Sequence, residues 1–370
     1  MKNIGLYVHI PFCESKCYYC DFCSFSDKDS YIEKYIKVLK KEISSISQKN
    51  CCFRTIYIGG GTPSIINEKY IKEIFKLFDT TNTKEITIEV NPGTVTKHKL
   101  QTYFDVGINR LSIGLQSTND SLLKEIGRIH TYNDFLETYH MAREIGFKNI
   151  SVDLMFGLPN QTLENVRESL NDIINLKPEH ISTYSLTLEE GTVLYEKVRK
   201  NQIKLVPDIT ERKMYWLIKK QLEEAGYIHY EISNFAKKRF ESKHNNWYWE
   251  QGVYVGVGLS ASSFAGHIRY SNTDDLQEYI STTDRLGNIN IQELLDEDDL
   301  MREYIMLGLR RIKGVNLNKF KTKFKEDARI MFKEVIEVLE TEGLVCIEDN
   351  HLKLTELGLD YANITWEEFV

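Results

Sequence analysis

Six strand-like runs alternate with six amphipathic helical stretches through the first half of the chain, and that series commits it to parallel strands with right-handed crossovers. The apolar runs cover 4–9, 55–58, 85–90, 110–115, 149–155 and 180–186. Between them lies a helical pattern over 31–46, where Tyr31, Tyr35, Leu39 and Ile43 recur every four residues along one face. Further helical stretches lie near 68–79, 96–105, 118–126, 132–146 and 162–175. Turn formers punctuate the element ends: Asn91-Pro92-Gly93, Gly107, Gly146 and Gly157-Leu158-Pro159. A closed eightfold barrel normally takes about 250 residues. Six units ending near residue 190 therefore predict an α/β fold with an open, partial (β/α)6 barrel.

After residue 188 the alternation stops. A helix is expected over 210–225, ending at Gly226, and 227–270 is aromatic and glycine-rich with strand-like pieces such as 252–258. Helical patterns over 299–312, 316–324 and 328–342 precede strand-like runs at 344–348 and 351–354 and a last helical turn. Three helices followed by a hairpin resemble a winged-helix module. The expected organisation is a barrel over 1–190, a linking region packed on it over 191–295, and an α+β extension over 296–370.

The 370 residues are 42% hydrophobic and 27% charged, ordinary for a soluble globular protein. No run of 18 apolar residues occurs, and the opening MKNIGLYVHIPFC reads as a first strand rather than a signal peptide, which makes the cytoplasm the default location. A net charge of −7 disfavours non-specific nucleic-acid binding by the surface as a whole. Seven cysteines, three of them within eight residues, do not form a disulfide framework and point to metal or redox chemistry.

Those three, Cys13, Cys17 and Cys20, form C-x3-C-x2-C directly after the first strand. Three thiolates on one tight loop can each hold one iron of a [4Fe–4S] cubane. The fourth iron is then free for the amino and carboxylate groups of S-adenosylmethionine (SAM), whose sulfonium can accept an electron and release a 5′-deoxyadenosyl radical. Zinc sites instead close the shell with four ligands, typically from C-x2-C pairs. Tyr7 lies on the same strand. Gly59-Gly60-Gly61-Thr62-Pro63 follows the second strand, where glycines let backbone groups approach a ligand. Glu89, Gln116, Arg128 and Asp153 lie at or near the C-terminal rim of the strands, where ligands bind in parallel α/β folds. A hydrogen-bonded structural role is the competing reading for each. His9 shares the face of Tyr7 and could serve either purpose.

The segments YVHIPFC (7–13), CYYCDF (17–22), GGGTPS (59–64), EVNPGT (89–94), GINRLSIGLQS (107–117), GRIH (127–130), DLMFGLPNQT (153–162) and STYSLTLEEGT (182–192) occur in order through the first half. Together they resemble the radical SAM proteins related to oxygen-independent coproporphyrinogen III oxidase. The likeness extends to GLSASSF (258–264) and LTELGL (354–359). It implies SAM contacts from Tyr7, Gly60, Gly61, Thr62, Glu89, Gln116, Arg128 and Asp153.

Two functions divide that family: oxidative decarboxylation of coproporphyrinogen III, and a chaperone branch that handles haem as cargo. The oxidase pattern extends the cysteine motif to C-x3-C-x2-C-x-C and places a longer segment before the first strand. Here Phe22 stands at the fourth-cysteine position, Cys23 comes one place late, and six residues precede Tyr7. The segment 244–249, HNNWYW, matches the H-N-x-x-Y-W motif of the haem-chaperone branch and holds two of the four tryptophans. His244 offers an imidazole for haem iron, Asn245 a partner for that ring or for a propionate, and Trp247, Tyr248 and Trp249 flat apolar area for a porphyrin. An aromatic core corner with a hydrogen-bonded histidine is the plainer reading. The branch implies delivery of haem to acceptor haemoproteins, in the cytoplasm or at a membrane surface. The basic stretch Arg310, Arg311, Lys313, Lys319, Lys321, Lys323 and Lys325 reads first as a solvated helix face, second as a docking surface, and last as a DNA-binding one. Cys51, Cys52 and Cys346 read as ordinary thiols.

Overall fold

Each of the six strand-like runs forms a strand, and the six pair in chain order, all parallel. The computed structural model describes residues 3–47, 52–282 and 289–369. The strands are β1 (Asn3–Ile10), β2 (Cys52–Gly60), β3 (Glu85–Val90), β4 (Arg110–Gln116), β5 (Ile150–Phe156) and β6 (His180–Ser185). Helices α1 (Ile32–Ser47), α2 (Glu68–Phe75), α3 (Lys97–Asp105), α4 (Asp120–Glu125), α5 (Tyr132–Ile145) and α6 (Leu163–Leu176) cover the outer face. Asn67, Thr96, Asn119, Thr131 and Thr162 cap five of them, each accepting a backbone N–H of the first turn.

The strands have two chemically different faces. Leu6, Val8, Ile56, Ile58, Ile86, Ile88, Leu111, Ile113 and Val152 are buried in the main core. The alternate positions carry Thr55, Thr87, Arg110, Ser112, Ser151, His180 and Ser182, also buried but polar. Successive side chains of a strand point to opposite faces, so the barrel has an apolar outside and a polar inside. Buried polar groups need partners, and this interior supplies them: Ser151 Oγ meets His180 Nδ1 at 2.8 Å, and Ser112 Oγ donates to Asp153 at 3.1 Å.

The sheet continues past both ends of the six. On one edge β8 (Asn234–Ala236) runs antiparallel to β6, with β7 (Ile228–Glu231) outside it. On the other, β9 (Tyr254–Val257) runs parallel to β1, followed by β10 (Ser262–Phe264), β11 (Ile268–Asn272) and β12 (Ile289–Leu294) in antiparallel pairing. The stretch 191–295 thus supplies six strands of one twelve-stranded sheet. It also supplies α7 (Val193–Arg199), α8 (Asp208–Glu224) and α9 (Lys243–Trp249). The last is a helix where the composition suggested none; Ser242 caps it by accepting Asn245 N–H.

The C-terminal module holds helices Glu297–Leu309, Leu317–Phe324, Ala328–Met331 and Lys333–Thr341. Its sheet is β13 (Val315–Asn316), β15 (His351–Leu354) and β14 (Val345–Glu348), antiparallel in that spatial order. The expected helix over 328–342 is broken at Phe332, whose backbone leaves the helical region while its ring fills the core against Phe320 and Phe369. No described helix is long and apolar enough to cross a membrane. Cys52 and Cys346 are half-buried on β2 and β14; Cys51 lies outside the described residues.

The module docks on the β7–β8 hairpin. Ile232 N–H donates to Arg310 O and Ile312 N–H to Tyr230 O, both at 3.1 Å. The Arg310 guanidinium lies 4.5 Å from the Trp249 ring and 4.7 Å from Trp366. Arg311 pairs with Glu250, and Lys323 donates to Gln251. Part of the basic stretch therefore faces this seam rather than solvent. Buried in the same hairpin, Glu231 is pushed up to about 7 by burial. A carboxyl that holds its proton longer when folded contributes stability at low pH that is lost as pH rises toward 7. Glu231→Gln is expected to flatten part of that decline between pH 4.5 and 7, as read by denaturant midpoints; an unchanged pH slope would refute this.

Candidate functional site

Beyond β1 the chain folds back on itself: Cys13 N–H donates to Phe25 O at 2.9 Å and Phe25 N–H to Pro11 O at 2.8 Å. Within this loop Cys20 N–H donates to Cys17 O at 3.2 Å, so those two thiols share one tight turn. All three line a cavity of about 400 Å³ above the C-terminal end of the strands. Thr62 Oγ1 donates to Cys13 Sγ at 3.6 Å, and Arg128 Nη1 to Cys17 Sγ at 3.4 Å. Burial raises the Cys13 and Cys20 thiols above their ordinary value. A side chain at Gly61 would bring its Cβ within 2.8 Å of Cys13 Sγ.

A tetrahedral zinc would need its sulfur ligands about 2.3 Å from one centre. A cubane takes one thiolate per iron, and three cysteine thiols lining one cavity are a donor set of that chemistry.

Gly60, Gly61, Thr62, Glu89, Gln116, Arg128 and Asp153 line the same cavity. Glu89 accepts Tyr57 O–H on Oε1 at 2.8 Å and Gly60 N–H on Oε2 at 3.2 Å. Burial pushes its carboxyl up to about 7, and the charge of Asp153 adds to this. Burial also raises Asp153. Gln116 has a left-handed φ of 74° beside the register shift between Gly114 and itself. Arg128 donates through Nη2 to Asn91 Oδ1 and Gly114 O, while its buried Nε has no partner. An unsatisfied buried donor beside the Cys17 thiol is a polar group waiting for an acceptor.

Tyr7 does not line the cavity. Its hydroxyl meets His9 Nδ1 at 2.9 Å, and its ring stacks on Tyr57. His9 Nε2 faces Cys23 O at 2.9 Å, so that nitrogen donates and Nδ1 accepts the Tyr7 proton. Cys23 lies outside the cavity, its Sγ directed at Asp274 O. Phe22 stands at the rim, 62% exposed. The lining also includes Tyr57, Asn91, Ser112 and Tyr184, which the sequence reading passed over. Tyr57, Ser112 and Tyr184 share the inward parity of their strands, the signal that would have found them; Asn91 follows directly on β3.

The segment 244–249 sits below this cavity, on α9. His244 is 1% exposed, its Nδ1 2.8 Å from Thr55 Oγ1 and its Nε2 2.7 Å from Tyr248 O–H. Both ring nitrogens are therefore engaged, and burial pushes the imidazole down to about 3. Asn245 N–H bonds the cap, Trp247 Nε1–H donates to Val253 O, and Trp249 belongs to the seam. Only Asn246 and Trp247 of the segment reach a groove of about 930 Å³ between α9 and the C-terminal module. Ile228, Ile312, Arg54, Arg239, Lys243 and Lys313 also line it.

Residues 7–173 match the Radical SAM superfamily and residues 295–361 the HemN C-terminal domain. The heme chaperone HemW of Bacillus subtilis is 36% identical over 98% of this chain and 98% of its own. HemW of Lactococcus lactis is 36% identical over 100% and 98%, and that of Haemophilus influenzae 33% over 100% and 98%. Among solved structures, coproporphyrinogen III oxidase (HemN) from Escherichia coli matches with a TM-score of 0.86 over 100% of this chain and 90% of that one. At 24% identity this likeness concerns the fold alone.

Proposed function

The chain belongs to the radical SAM superfamily, in the family of the heme chaperone HemW, and on that premise we propose that it binds haem and passes it to acceptor haemoproteins. The supporting observation is the likeness to several proteins of that name along the entire chain, cysteine loop and C-terminal module included. Phe22 at the fourth-cysteine position agrees with it. Cys13, Cys17 and Cys20 would hold the [4Fe–4S] cluster. Glu89, the Gly60–Thr62 backbone, Gln116 and Asp153 would hold SAM across the cavity, with Arg128 fixing the Cys17 thiolate. One-electron chemistry at a sulfonium is what the pair supplies when bound.

Haem is a flat apolar ring edged by two carboxylates. The groove beside α9 pairs the Trp247 ring and the Ile228 and Ile312 side chains with the cations Arg54, Arg239 and Lys313. That combination suits ring and propionates. Purified anaerobically and loaded with its cluster, the protein is expected to retain haem. With SAM and an electron donor it should leave coproporphyrinogen III unchanged. Trp247→Ala should weaken haem retention roughly tenfold, the scale of a lost aromatic face. Mass spectrometry showing loss of two carbon dioxide molecules from coproporphyrinogen III would replace this function with the oxidase one.

A further inference from the structure

Helix α9 closes the N-terminal mouth of the barrel. Glu85, at the first position of β3 and 1% exposed, accepts Lys243 N–H on Oε2 at 3.1 Å and His244 N–H on Oε1 at 3.0 Å. Gly5 on β1 makes room: a Cβ there would stand 3.2 Å from Trp247 Cδ1 and 3.3 Å from Tyr254 Cβ. The His244 ring so placed stacks under Tyr57, with centroids 5.2 Å apart and planes inclined by 29°. Thr55, two residues before Tyr57 on the same face of β2, fixes the ring through Nδ1, and Tyr248 fixes it through Nε2. Tyr7 stacks on Tyr57 as well, with centroids 6.3 Å apart.

On the premise that the cavity is the SAM site, we propose that His244 is a positioning residue for it: through Tyr57 it sets the Glu89 carboxylate and, with it, the Gly60 backbone that receives the methionine end of SAM. The chain of contacts is short, running from the buried His244 to the half-buried Tyr57, Glu89 and Gly60. His244 supports the Tyr57 ring, Tyr57 O–H donates to one Glu89 oxygen, and the other accepts Gly60 N–H. A hydroxyl carried on an unsupported ring would lose its fixed direction, and preorganised partners contribute more than mobile ones. The segment 244–249 then has two faces: His244 turned inward to the SAM cavity, and Trp247 bordering the outer groove.

The test measures SAM affinity by calorimetry on cluster-loaded protein, with iron content in parallel. His244→Ala and Tyr57→Phe should each weaken SAM roughly three- to tenfold at unchanged iron content. The double variant should be no weaker than Tyr57→Phe alone, because both act through one hydroxyl. His244→Phe, which keeps a ring beneath Tyr57, should restore most of the affinity. Glu89 is faced by Tyr57 from β2, Tyr7 from β1, Arg110 from β4 and Asp153 from β5. Loss of the Tyr57 hydrogen bond removes a contact that favours the carboxylate, so the pH midpoint of SAM binding should move upward in Tyr57→Phe and His244→Ala. Thr55→Val, which frees only Nδ1, should give a smaller loss of the same sign and serves if His244→Ala does not fold. Unchanged affinity in His244→Ala, or equal losses with alanine and phenylalanine, would overturn the proposal. Glu89→Gln separates the two levels. If it leaves SAM binding intact, the site itself is misplaced; if it weakens binding while His244→Ala does not, only the positioning role fails.

Discussion

Alanine at Cys17 is expected to empty the iron site, taking the metal content of anaerobically reconstituted protein from about four irons per chain to well under one. Cys17 is the thiol that Arg128 reaches at 3.4 Å, and that guanidinium is buried. Removing the sulfur takes away an iron ligand and leaves a buried cation short of an acceptor, so the loop loses its metal and part of its order together. Cys23→Ala is the matched control. Its thiol points to Asp274 O outside the cavity, so that variant should load iron normally. Iron analysis and the visible charge-transfer absorption read both. A full complement of iron in Cys17→Ala would refute the ligand assignment.

Valine at Gly60 should weaken SAM binding by roughly one to two orders of magnitude while the cluster survives. Gly60 sits at φ 121°, a conformation that side chains rarely adopt, and a Cβ there would meet the His9 ring at 2.8 Å. The substitution strains the turn, pushes on the Tyr7–His9 pair and withdraws the N–H that Glu89 accepts. Gly93 also has positive φ, 81°, but nothing lies within 4 Å of its added Cβ. Gly93→Ala should therefore leave SAM affinity near that of the wild type while costing some stability. Calorimetry on the two cluster-loaded variants separates a defect at the cavity from general backbone strain; equal affinities would count against the placement of the methionine end.

Much of this architecture was legible in the sequence because its signals are local. Strands with period two and helices with period 3.6 appear in any short window, so β3 matches the expected bounds and the other five parallel strands differ by a few residues at their ends. The C-x3-C-x2-C loop is equally local. Helix α9 was missed because Ser242 and the aromatic run that follows carry no clear helical stripe. That helix is held by Glu85, some 160 residues earlier in the chain and beside it only once the barrel has folded.

The sequence by itself determined the cysteine loop, the order of the parallel strands and the C-terminal module, since each follows from spacing within a few tens of residues. Tertiary structure alone decided what the polar inner faces do. In the sequence Thr55, Tyr57 and Ser112 look like scattered interruptions of apolar runs, and Glu89 and Asp153 like separate polar residues near the strand ends. Folded, they share one interior, because curling the sheet brings the same face of four strands, β2 to β5, onto a common space that the helices cannot fill. His244 shows the limit most directly, since the sequence left both a haem-ligating and a hydrogen-bonded core imidazole open. The packing of α9 against β2 engages both of its nitrogens, and the sequence could not choose between the readings, since hydrogen-bond partners far apart in the chain are chosen by the fold and not by the local sequence.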